Sequence, residues 1–420
     1  AMMFFCLKRE QRSCRIAAWI LLGCAAGFAW YLGFQSRILE PAASLHGKTE
    51  TVTVHATGYG TPYSYGVEAE GVLKLRNRSY RVMLTLDEEL YVEPGMEITA
   101  PFRFSFTAPR EEPISWYSGN GIFLRVYQKG DAVTENAEAP ALQDRIAVFR
   151  QYLKNAIRAS FPEDTYPFAQ ALLLGDTSAL DYETDTNFKI SGIRHIIAVS
   201  GLHVSILIGM LSNVTFRKKY LMVPLGMAVL FVFSALAGFS PSVVRAALMS
   251  ALILLGILLN REYDGATALS FAALVMLLQN PLVIASVSFQ LSVGCIIGIF
   301  LFQKKIYDWL YGAISNEKKR GFVKLKRWFA SSVSVTLAAM SLTTPLSAYY
   351  FGSVSLVGVL TNLLTLWVIS FVFYGIMLTC ALASVIPGVA GIIGVVIAWP
   401  IRYVIFISRT LASLPLAAVY

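Results

Sequence analysis

The chain has 420 residues, of which 56% are hydrophobic and 15% are charged, with a mean hydropathy of +0.58 and a formal net charge of +9. Apolar runs of about 20 residues, the length that crosses roughly 30 Å of hydrocarbon, alternate with short charged loops. This pattern excludes an ordinary soluble globule and predicts a polytopic α-helical membrane protein. The five cysteines lie in or beside apolar segments without metal-ligand spacing, so we expect no disulfide-stapled exterior domain, no structural zinc and no cofactor.

Residues 1–44 are predicted to form a cytoplasmic N-terminal segment and the first transmembrane helix. Four basic residues between positions 8 and 15 precede an apolar run over residues 16–34. Because cytoplasmic flanks carry an excess of Lys and Arg, we expect the N-terminus to be cytoplasmic and the helix to lead outward. A cleaved signal peptide is the alternative, which the length of the run and the lack of a clear cleavage site disfavour.

Residues 45–140 are predicted to form an exterior domain, a small antiparallel β-barrel of the OB type. Short alternating runs such as TVTVHA, YRVMLTL and MEITAPFRFSF are separated by Gly, Pro and Asn turns, which is typical of strands joined by tight loops. Five or so strands in under about 100 residues suit an OB-type barrel, and such barrels commonly bind single-stranded nucleic acid.

One hairpin of this domain interleaves basic and aromatic residues, as phosphate contact and base stacking would require. The candidate residues are Lys74, Arg76, Arg78, Tyr80 and Arg81. The domain as a whole has nine Lys and Arg against thirteen Asp and Glu, so it repels polyanions and only this hairpin is locally basic. A structural or partner-docking barrel therefore remains the alternative interpretation.

Residues 141–187 are predicted to form an amphipathic interfacial helix and a linker. Apolar side chains recur on one face of residues 141–160 and basic side chains lie elsewhere, which indicates a helix on the membrane surface or packed on a bundle. A second apolar helix and an acidic turn then lead into a polytopic domain, residues 188–420.

The chain is organised around residues 188–210, an apolar stretch that carries polar and ionisable side chains and three glycines. Ionisable groups at bilayer depth normally face a bundle interior or a water-filled path, because contact with lipid is costly. Glycines allow close packing or a broken helix, which is tolerated there only inside protein or against a cavity. We therefore predict a polar lining element, whose candidates are Ser191, Arg194, His195, Ser200 and His203.

Seven further apolar runs follow, at residues 220–238, 241–259, 265–279, 283–302, 330–350, 355–385 and 388–411. The run at 355–385 contains two glycines that could split it. The loop at 303–328 has eight Lys and Arg against two Asp and Glu, so we expect it to be cytoplasmic. A docking or exit surface and an ordinary topology-setting loop are both compatible with this charge.

Polar residues within these runs are sparse. Arg245 is the strongest candidate, because its guanidinium stays charged and its fork binds phosphate or carboxylate. The alternative is a side chain that snorkels from the outer interface. For Gln290 and Asn362, contact between helices is the alternative to a binding role.

The motif SGIRHIIAVSGLHVSIL at residues 191–207 resembles the signature of the ComEC competence family, the inner-membrane component of natural transformation. Supporting motifs are AQALLLGD (169–176), AGFSPSVVRAALM (237–249), NPLVIASVSFQLS (280–292), FGSVSLVGVLTNLL (351–364) and the barrel segment WYSGNGIFLRVY (116–127). The sequence departs from the family at Trp367, where a proline is expected and a helix break would follow.

The resemblance implies a multi-pass channel of the bacterial plasma membrane that passes one strand of incoming DNA from the exterior face to the cytoplasm. By motif, the residues expected to line the path are Ser191, Arg194, His195, Ser200, His203, Arg245, Gln290, Asn362 and Asp176. The implied partners are single-stranded DNA, an exterior DNA receptor, cytoplasmic motor or strand-binding proteins and the lipid bilayer. Many members carry a C-terminal metallo-β-lactamase-like domain, which would begin where this chain ends. No HxHxDH motif occurs, so intrinsic nuclease activity is not expected and the chain is not predicted to be an enzyme.

Two other function classes compete with a passive conduit. An intramembrane Ser/His hydrolase would use Ser200 as nucleophile and His203 as base, with Asp176 the only nearby candidate for the orienting acid. A transporter of small or lipid-linked anions would need a compact midplane site, and internal repeats, which such transporters often show, are not seen. The P-loop pattern GxxxxGK[ST] does not occur, so we expect any driving force to come from partners or from the membrane potential.

Overall fold

The fold is that of a computed structural model, which describes residues 12–63, 65–75, 78–87, 90–107, 116–136, 140–197, 199–216, 218–314 and 320–419. These residues divide into two compact units. The first contains the described residues as far as Asp144 together with Leu274–Ala285. The second contains Arg145–Ala273 and the described residues from Ser286 onward.

The first unit begins with the apolar helix α1 (Arg12–Phe34), which continues through a π-helical segment (Gln35–Leu39) and one further turn (Glu40–Ala43). Large apolar side chains along α1, such as Trp19 and Leu21, are exposed. This is the arrangement expected when the solvent around a helix is lipid and its apolar surface needs no protein partner.

A β-barrel follows α1. Its strands are β1 (Thr49–Ala56), β2 (Thr61–Tyr63), β3 (Gly66–Leu75), β4 (Arg78–Leu86), β5 (Met96–Phe106), β6 (Leu124–Gln128) and β7 (Val133–Asn136), with one helical turn, α2 (Trp116–Gly119), before β6. Five of them close in the order β1-β3-β4-β6-β5-β1, with β4 and β6 parallel and the other pairs antiparallel. This closed five-stranded barrel confirms the predicted OB-type fold.

Alternation along the strands fills the barrel core, since successive side chains face opposite sides of a sheet. In β5, Ile98, Phe102 and Phe104 are at most 1% exposed, whereas Arg103 between the two phenylalanines points outward. The same alternation continues in β6, where Leu124 and Val126 are buried. The outer face of the barrel is therefore formed by the odd-numbered residues of β5 and β6.

The remaining helices follow in chain order. They are α3 (Leu142–Ser160), α4 (Tyr166–Leu174), α5 (Tyr182–Ile190), α6 (Arg194–Ile197), α7 (Gly201–Val214), α8 (Lys219–Leu236), α9 (Pro241–Leu259), α10 (Gly265–Gln279), α11 (Val287–Ile314), α12 (Arg320–Phe351), α13 (Gly358–Ala383) and α14 (Pro387–Ala412). The end of α10 and the following 3-10 turn (Pro281–Ala285) belong to the first unit. A short strand pair, β8 (Val354–Ser355) with β9 (Ala418–Val419), lies in the second.

Among the described residues, seven helices are long and apolar enough to cross a membrane, namely α1 with its extension, α8, α9, α11, α12, α13 and α14. Two others, α7 and α10, are apolar but shorter. The prediction of a polytopic helical membrane protein is thereby confirmed. The run at 355–385 forms the single helix α13 and does not split at Gly375. A Cβ there would overlap Ile397 of α14, so this glycine serves close helix packing.

Candidate functional site

The predicted lining segment is broken twice in the second unit. α5 ends at Ile190, and Gly192 then adopts a left-handed conformation with φ +79°. A Cβ on Gly192 would lie 2.9 Å from Ser355 Oγ and 3.0 Å from the Cα of Gly358, so the chain passes very close to the start of α13. The second break is at Ser200, which is extended and precedes α7.

Ser191 lies at the first break and is fully buried. Its hydroxyl forms a 2.7 Å hydrogen bond with the Ser408 hydroxyl of α14 and donates to Phe188 O at 3.4 Å. In this structure Ser191 therefore joins two helices by a side-chain hydrogen bond, the kind of contact that stabilises helix association in membranes.

Arg194 and His195 follow at the exposed side of α6. Arg194 Nε donates to Asp185 Oδ1 at 2.9 Å, and Lys189 Nζ lies 2.7 Å from Asp185 Oδ2. Partial burial alone would raise the pKa of Asp185, but the two cations outweigh it and the pKa is lowered. His195 Nδ1 lies 2.9 Å from Gly192 O and donates to it. Arg194 and Lys189 thus share one carboxylate, which compensates part of their charge.

Ser200 and His203 are in contact across the second break. The Ser200 main-chain N–H donates to His203 Nδ1 at 3.0 Å, and the Ser200 hydroxyl lies 3.3 Å from the same nitrogen. His203 is fully buried, with its ring centre 5.0 Å from that of Phe373 in α13. Its Nε2 is buried and has no hydrogen-bond partner within the described part of the chain.

This geometry does not supply the order of groups that a Ser/His hydrolase needs. The Nδ1 lone pair accepts from a main-chain N–H and so is not available to take the serine proton. The proton of a neutral His203 then lies on Nε2, and no described acid orients it. Within the described residues, no group of three or more His, Cys, Asp or Glu side chains is arranged to hold a metal ion.

Arg245 of α9 is the least compensated charge in this region. It is 7% exposed, and its Nη1 donates to the main-chain carbonyl of Ser292 in α11 at 3.2 Å. Its Nε is buried without a partner, and no carboxylate among the described residues pairs with it. Its Nη2 would lie 3.8 Å from a Cβ on Gly201, the first residue of α7. A buried, unpaired guanidinium is a strong site for an anion.

The other predicted lining residues lie in different surroundings. Gln290 of α11 accepts from the Tyr350 hydroxyl of α12 at 2.7 Å. Asn362 of α13 is 7% exposed, and its Oδ1 lacks a partner among the described residues. Asp176 Oδ2 forms an ion pair with Lys154 Nζ of α3 at 2.7 Å.

The structure therefore brings part of the predicted set together. The start of α7 contacts α9 through Gly201 and Arg245 and contacts α13 through His203. Ser355 and Ser408 belong to the same neighbourhood and were missed in the sequence, because serines in apolar runs are common and only the tertiary contact distinguishes these two. The Gly and Ser content of the FGSVSLVG motif was the available signal for Ser355.

In the barrel, the predicted nucleic-acid residues do not share one face. Lys74 and Arg78 are exposed, and Arg81 is exposed and pairs with Glu70 at 3.2 Å. Tyr80 is 7% exposed and belongs to the barrel core, because it lies on the inward face of β4. Arg76 lies outside the described residues.

A second aromatic group on the barrel was missed in part. The guanidinium of Arg125 lies 5.1 Å from the ring centres of Tyr117 and Tyr127, and its Nη2 donates to Glu68 at 2.7 Å. This group escaped notice because its members lie on β3, α2 and β6. We call Arg125, Glu68, Tyr117 and Tyr127, with the stacked and exposed pair Tyr63 and Tyr65, the aromatic cluster.

Comparison with known proteins places these features in a family context. The family model described as "Competence protein" matches residues 172–420. ComE operon protein 3 of Bacillus subtilis is 27% identical over 307 residues, which are 68% of this chain and 36% of that protein. Recombination protein 2 of Haemophilus influenzae is 28% identical over 218 residues, 50% of this chain and 27% of that protein.

An uncharacterized protein of Aquifex aeolicus is 29% identical over 219 residues, 52% of this chain and 48% of that protein. The chain thus spans between about a quarter and a half of the length of these curated relatives. No solved structure matches it.

Proposed function

The chain belongs to the competence protein family, and on this basis we propose that it forms the membrane conduit through which one strand of incoming DNA passes to the cytoplasm. Residues 188–420 are the channel domain, residues 45–140 an exterior barrel domain and residues 141–187 the interfacial link between them. The conduit has no catalytic role in this proposal. A cytoplasmic motor or strand-binding proteins supply the driving force, and an exterior receptor delivers the DNA.

The observation that carries this proposal is the buried guanidinium of Arg245, which pairs with no described carboxylate. A charged side chain at bilayer depth without a described counter-charge is costly, and such residues in membrane proteins mark substrate paths. A phosphodiester would supply the missing negative charge and accept from the free edge of the guanidinium. His203 Nε2 and Asn362 Oδ1 also lack hydrogen-bond partners within the described part of the chain, and water or a nucleotide would satisfy them.

One contact, together with the charge of the segments between spans, supports an exterior position for the barrel. The turn after α10 lies in the same unit as the barrel, and Asn280 Nδ2 donates to Ser118 O at 2.8 Å. The basic segment 303–328, predicted as a loop, is helical in its described residues, 303–314 in α11 and 320–328 in α12. One membrane crossing by the apolar part of α11 would place these basic residues on the side of the membrane opposite to the turn. Basic segments between spans favour the cytoplasmic side, which supports an exterior position for the turn and the barrel.

The test is entry of a labelled single-stranded oligonucleotide into vesicles that contain the purified full chain, at two salt concentrations. We expect sequence-independent, salt-sensitive entry. Arg245→Met should lower the entry rate about tenfold or more, the effect of losing one charge-assisted contact. Arg409→Met is the matched control, because Arg409 is an exposed arginine of α14 whose partner, Glu183, is also exposed.

Equal entry with Arg245→Met and with the unchanged protein would contradict the proposal. The same arginine also suits a transporter of small or lipid-linked anions, so inorganic phosphate and a short-chain phosphatidylglycerol are measured in parallel. Entry of either small anion without entry of the oligonucleotide, in vesicles shown to hold folded protein, would assign the chain to that second class.

A further inference from the structure

A surface pocket of about 260 Å³ on the barrel is lined by basic side chains. Arg103 and Lys129 contribute the charge, His46 contributes an imidazole, and Ser105 and Tyr127 contribute hydroxyl groups. No described carboxylate lines it. This is unexpected in a segment where acidic residues outnumber basic ones, and a pocket of this composition favours an anion.

Three segments of the chain build the pocket. Arg103 of β5 and Tyr127 of β6 are paired in register, so their side chains stand together on the outer face. Lys129 continues β6, and its main-chain N–H donates to Pro101 O at 2.9 Å. The third segment contains His46 and Gly47. It is held against β5 by a hydrogen bond from the Gly47 N–H to Phe104 O at 2.9 Å.

The pocket cations Arg103 and Lys129 differ from Arg81 and Arg125 of the same barrel, because no described carboxylate pairs with them. Arg81 pairs with Glu70 at 3.2 Å and Arg125 pairs with Glu68 at 2.7 Å. Among the ion pairs between described residues, none involves Arg103 or Lys129. Both side chains are exposed and so are free to take an external anion.

His46 adds a hydrogen-bond donor to the same pocket. Its Nδ1 accepts from the Phe106 main-chain N–H at 3.1 Å. The proton of a neutral His46 therefore lies on Nε2, which is left to donate. An anion in the pocket would thus receive a hydrogen bond from His46 even when the imidazole is uncharged.

The pocket adjoins the aromatic cluster, because Tyr127 belongs to both. Tyr63 and Tyr65 stack on each other with ring centres 5.5 Å apart and are 48% and 58% exposed. Trp116 is 63% exposed beside Tyr117. Exposed rings next to a cationic groove are what a single strand requires, since its bases stack on rings and its phosphates contact cations. A lipid headgroup would contact the cations, but it has no bases to stack on the exposed aromatic rings.

We propose that this pocket binds a phosphate of single-stranded nucleic acid, with neighbouring bases stacked on the aromatic cluster. The inference rests on the proposed function, because that function makes the strand the ligand. It moves the contact away from the β3–β4 hairpin, the surface predicted from sequence, to the β5–β6 face of the barrel.

The test is equilibrium binding of a labelled oligothymidylate to the full chain in nanodiscs of zwitterionic lipid, followed by fluorescence anisotropy over a salt series. Arg103→Gln with Lys129→Gln should weaken binding about tenfold or more at low salt. The slope of log affinity against log salt should fall by about 0.7, because the pocket binds one phosphate and each phosphate contact of a single strand contributes about 0.7. The matched control, Lys74→Gln with Arg78→Gln, removes the same charge from the hairpin and should change affinity less than about twofold.

Equal losses in the two double variants would show a general charge effect and overturn the proposal, as would a larger loss in the hairpin variant. Displacement of the oligonucleotide by soluble short-chain phosphatidylglycerol, seen only when the pocket is intact, would assign the pocket to lipid headgroups instead. Binding does not require transport, so the outcome is separate from that of the vesicle experiment. Loss of pocket binding with normal entry would leave the conduit standing, and loss of entry in Arg245→Met with normal binding would leave the pocket standing.

Discussion

The barrel and the helical unit each hold a largely buried arginine, and they compensate its charge in different ways. In the barrel, Arg125 donates to Glu68 at 2.7 Å and lies between two tyrosine rings. In the helical unit, Arg245 donates to the Ser292 carbonyl at 3.2 Å and pairs with no described carboxylate. The charge of Arg125 is balanced within the fold, so this residue supports the barrel. The charge of Arg245 has no such balance among the described residues.

The largest expected effect comes from replacing each arginine by methionine, which keeps much of the volume and removes the charge. Arg125→Met should lower the stability of the barrel by roughly 3 kcal/mol, because it leaves Glu68 largely buried without its cation. Arg245→Met should leave the stability of the helical unit unchanged or raise it, because no described counter-charge is stranded. Hydrogen exchange of the β3 and α9 amides in the full chain measures the two opening free energies separately.

If Arg245→Met destabilises α9 as much as Arg125→Met destabilises β3, then Arg245 is a structural residue. Its lack of a described hydrogen-bond acceptor and counter-charge would then have no functional meaning. Arg245→Lys serves as the second variant. It keeps a charge without the fork, so it should retain part of the DNA entry that Arg245→Met loses.

The next effect concerns the break before α6, where the helical unit needs a glycine. Gly192→Ala should cost roughly 2–3 kcal/mol, because φ is positive and the new Cβ would press on Ser355 and Gly358. Gly209→Ala in α7 is the control. Its Cβ would meet only Tyr374 Oη at 4.0 Å, so it should be neutral or stabilising by up to about 1 kcal/mol. Hydrogen exchange of the α6 and α7 amides measures the stability change in both variants. Equal protection in the two variants would mean that the chain does not require a glycine at position 192.

The two units also differ in how far their sequences predict them. In β5 the alternation of apolar and polar residues predicts both the strand and its inward face, so Phe102 and Phe104 are identifiable as core before the fold is known. Alternation likewise separates Tyr80, on the core face of β4, from Arg81 on the outer face. Treating the hairpin as one surface ignored this period of two, which is why its residues do not form one site.

In the helical unit the length of each apolar run predicts the membrane-spanning helices. It does not predict which side of each helix packs against the other helices. A helix such as α13 is apolar on all sides, because lipid and protein interior make the same demand on its surface. The contact between Ser191 and Ser408 joins residues 217 positions apart, and no local pattern announces it. Arg245 was identifiable as unusual from its type alone. Its lack of a described partner required the positions of α7, α9 and α11.

The edge of the helical unit provides a paired charge with a pH signature. Burial alone would raise the pKa of Asp176, but hydrogen bonds from Lys154 and Ser178 outweigh it and lower the pKa from 3.8 to about 2. The stabilisation is therefore present above about pH 4 and is lost as the pH falls toward 2. Asp176→Asn should cost about 2 kcal/mol at pH 7, and the difference from the unchanged protein should shrink between pH 4 and 2.

Thermal unfolding in detergent at a series of pH values measures this difference. Asp164→Asn is the control, because the Asp164 side chain is 53% exposed and solvent weakens its pair with Arg402. A difference for Asp176→Asn that stays constant from pH 7 to pH 3 would mean that the carboxylate acts through packing rather than through its charge.

The smallest effect tests whether pairing by itself stabilises the barrel. Arg81 and Glu70 lie 3.2 Å apart like a strong pair, but their side chains are 48% and 45% exposed. Water screens such a pair, and two long side chains lose freedom in holding it, so Arg81→Gln should cost less than about 0.5 kcal/mol. Arg125 and Arg81 thus differ in burial rather than in having a partner, and hydrogen exchange of the β4 amides should reflect that difference. A cost for Arg81→Gln near that of Arg125→Met would mean that the carboxylate contact, and not burial, sets the strength of a barrel arginine, and the contrast with Arg245 would then rest on pairing alone.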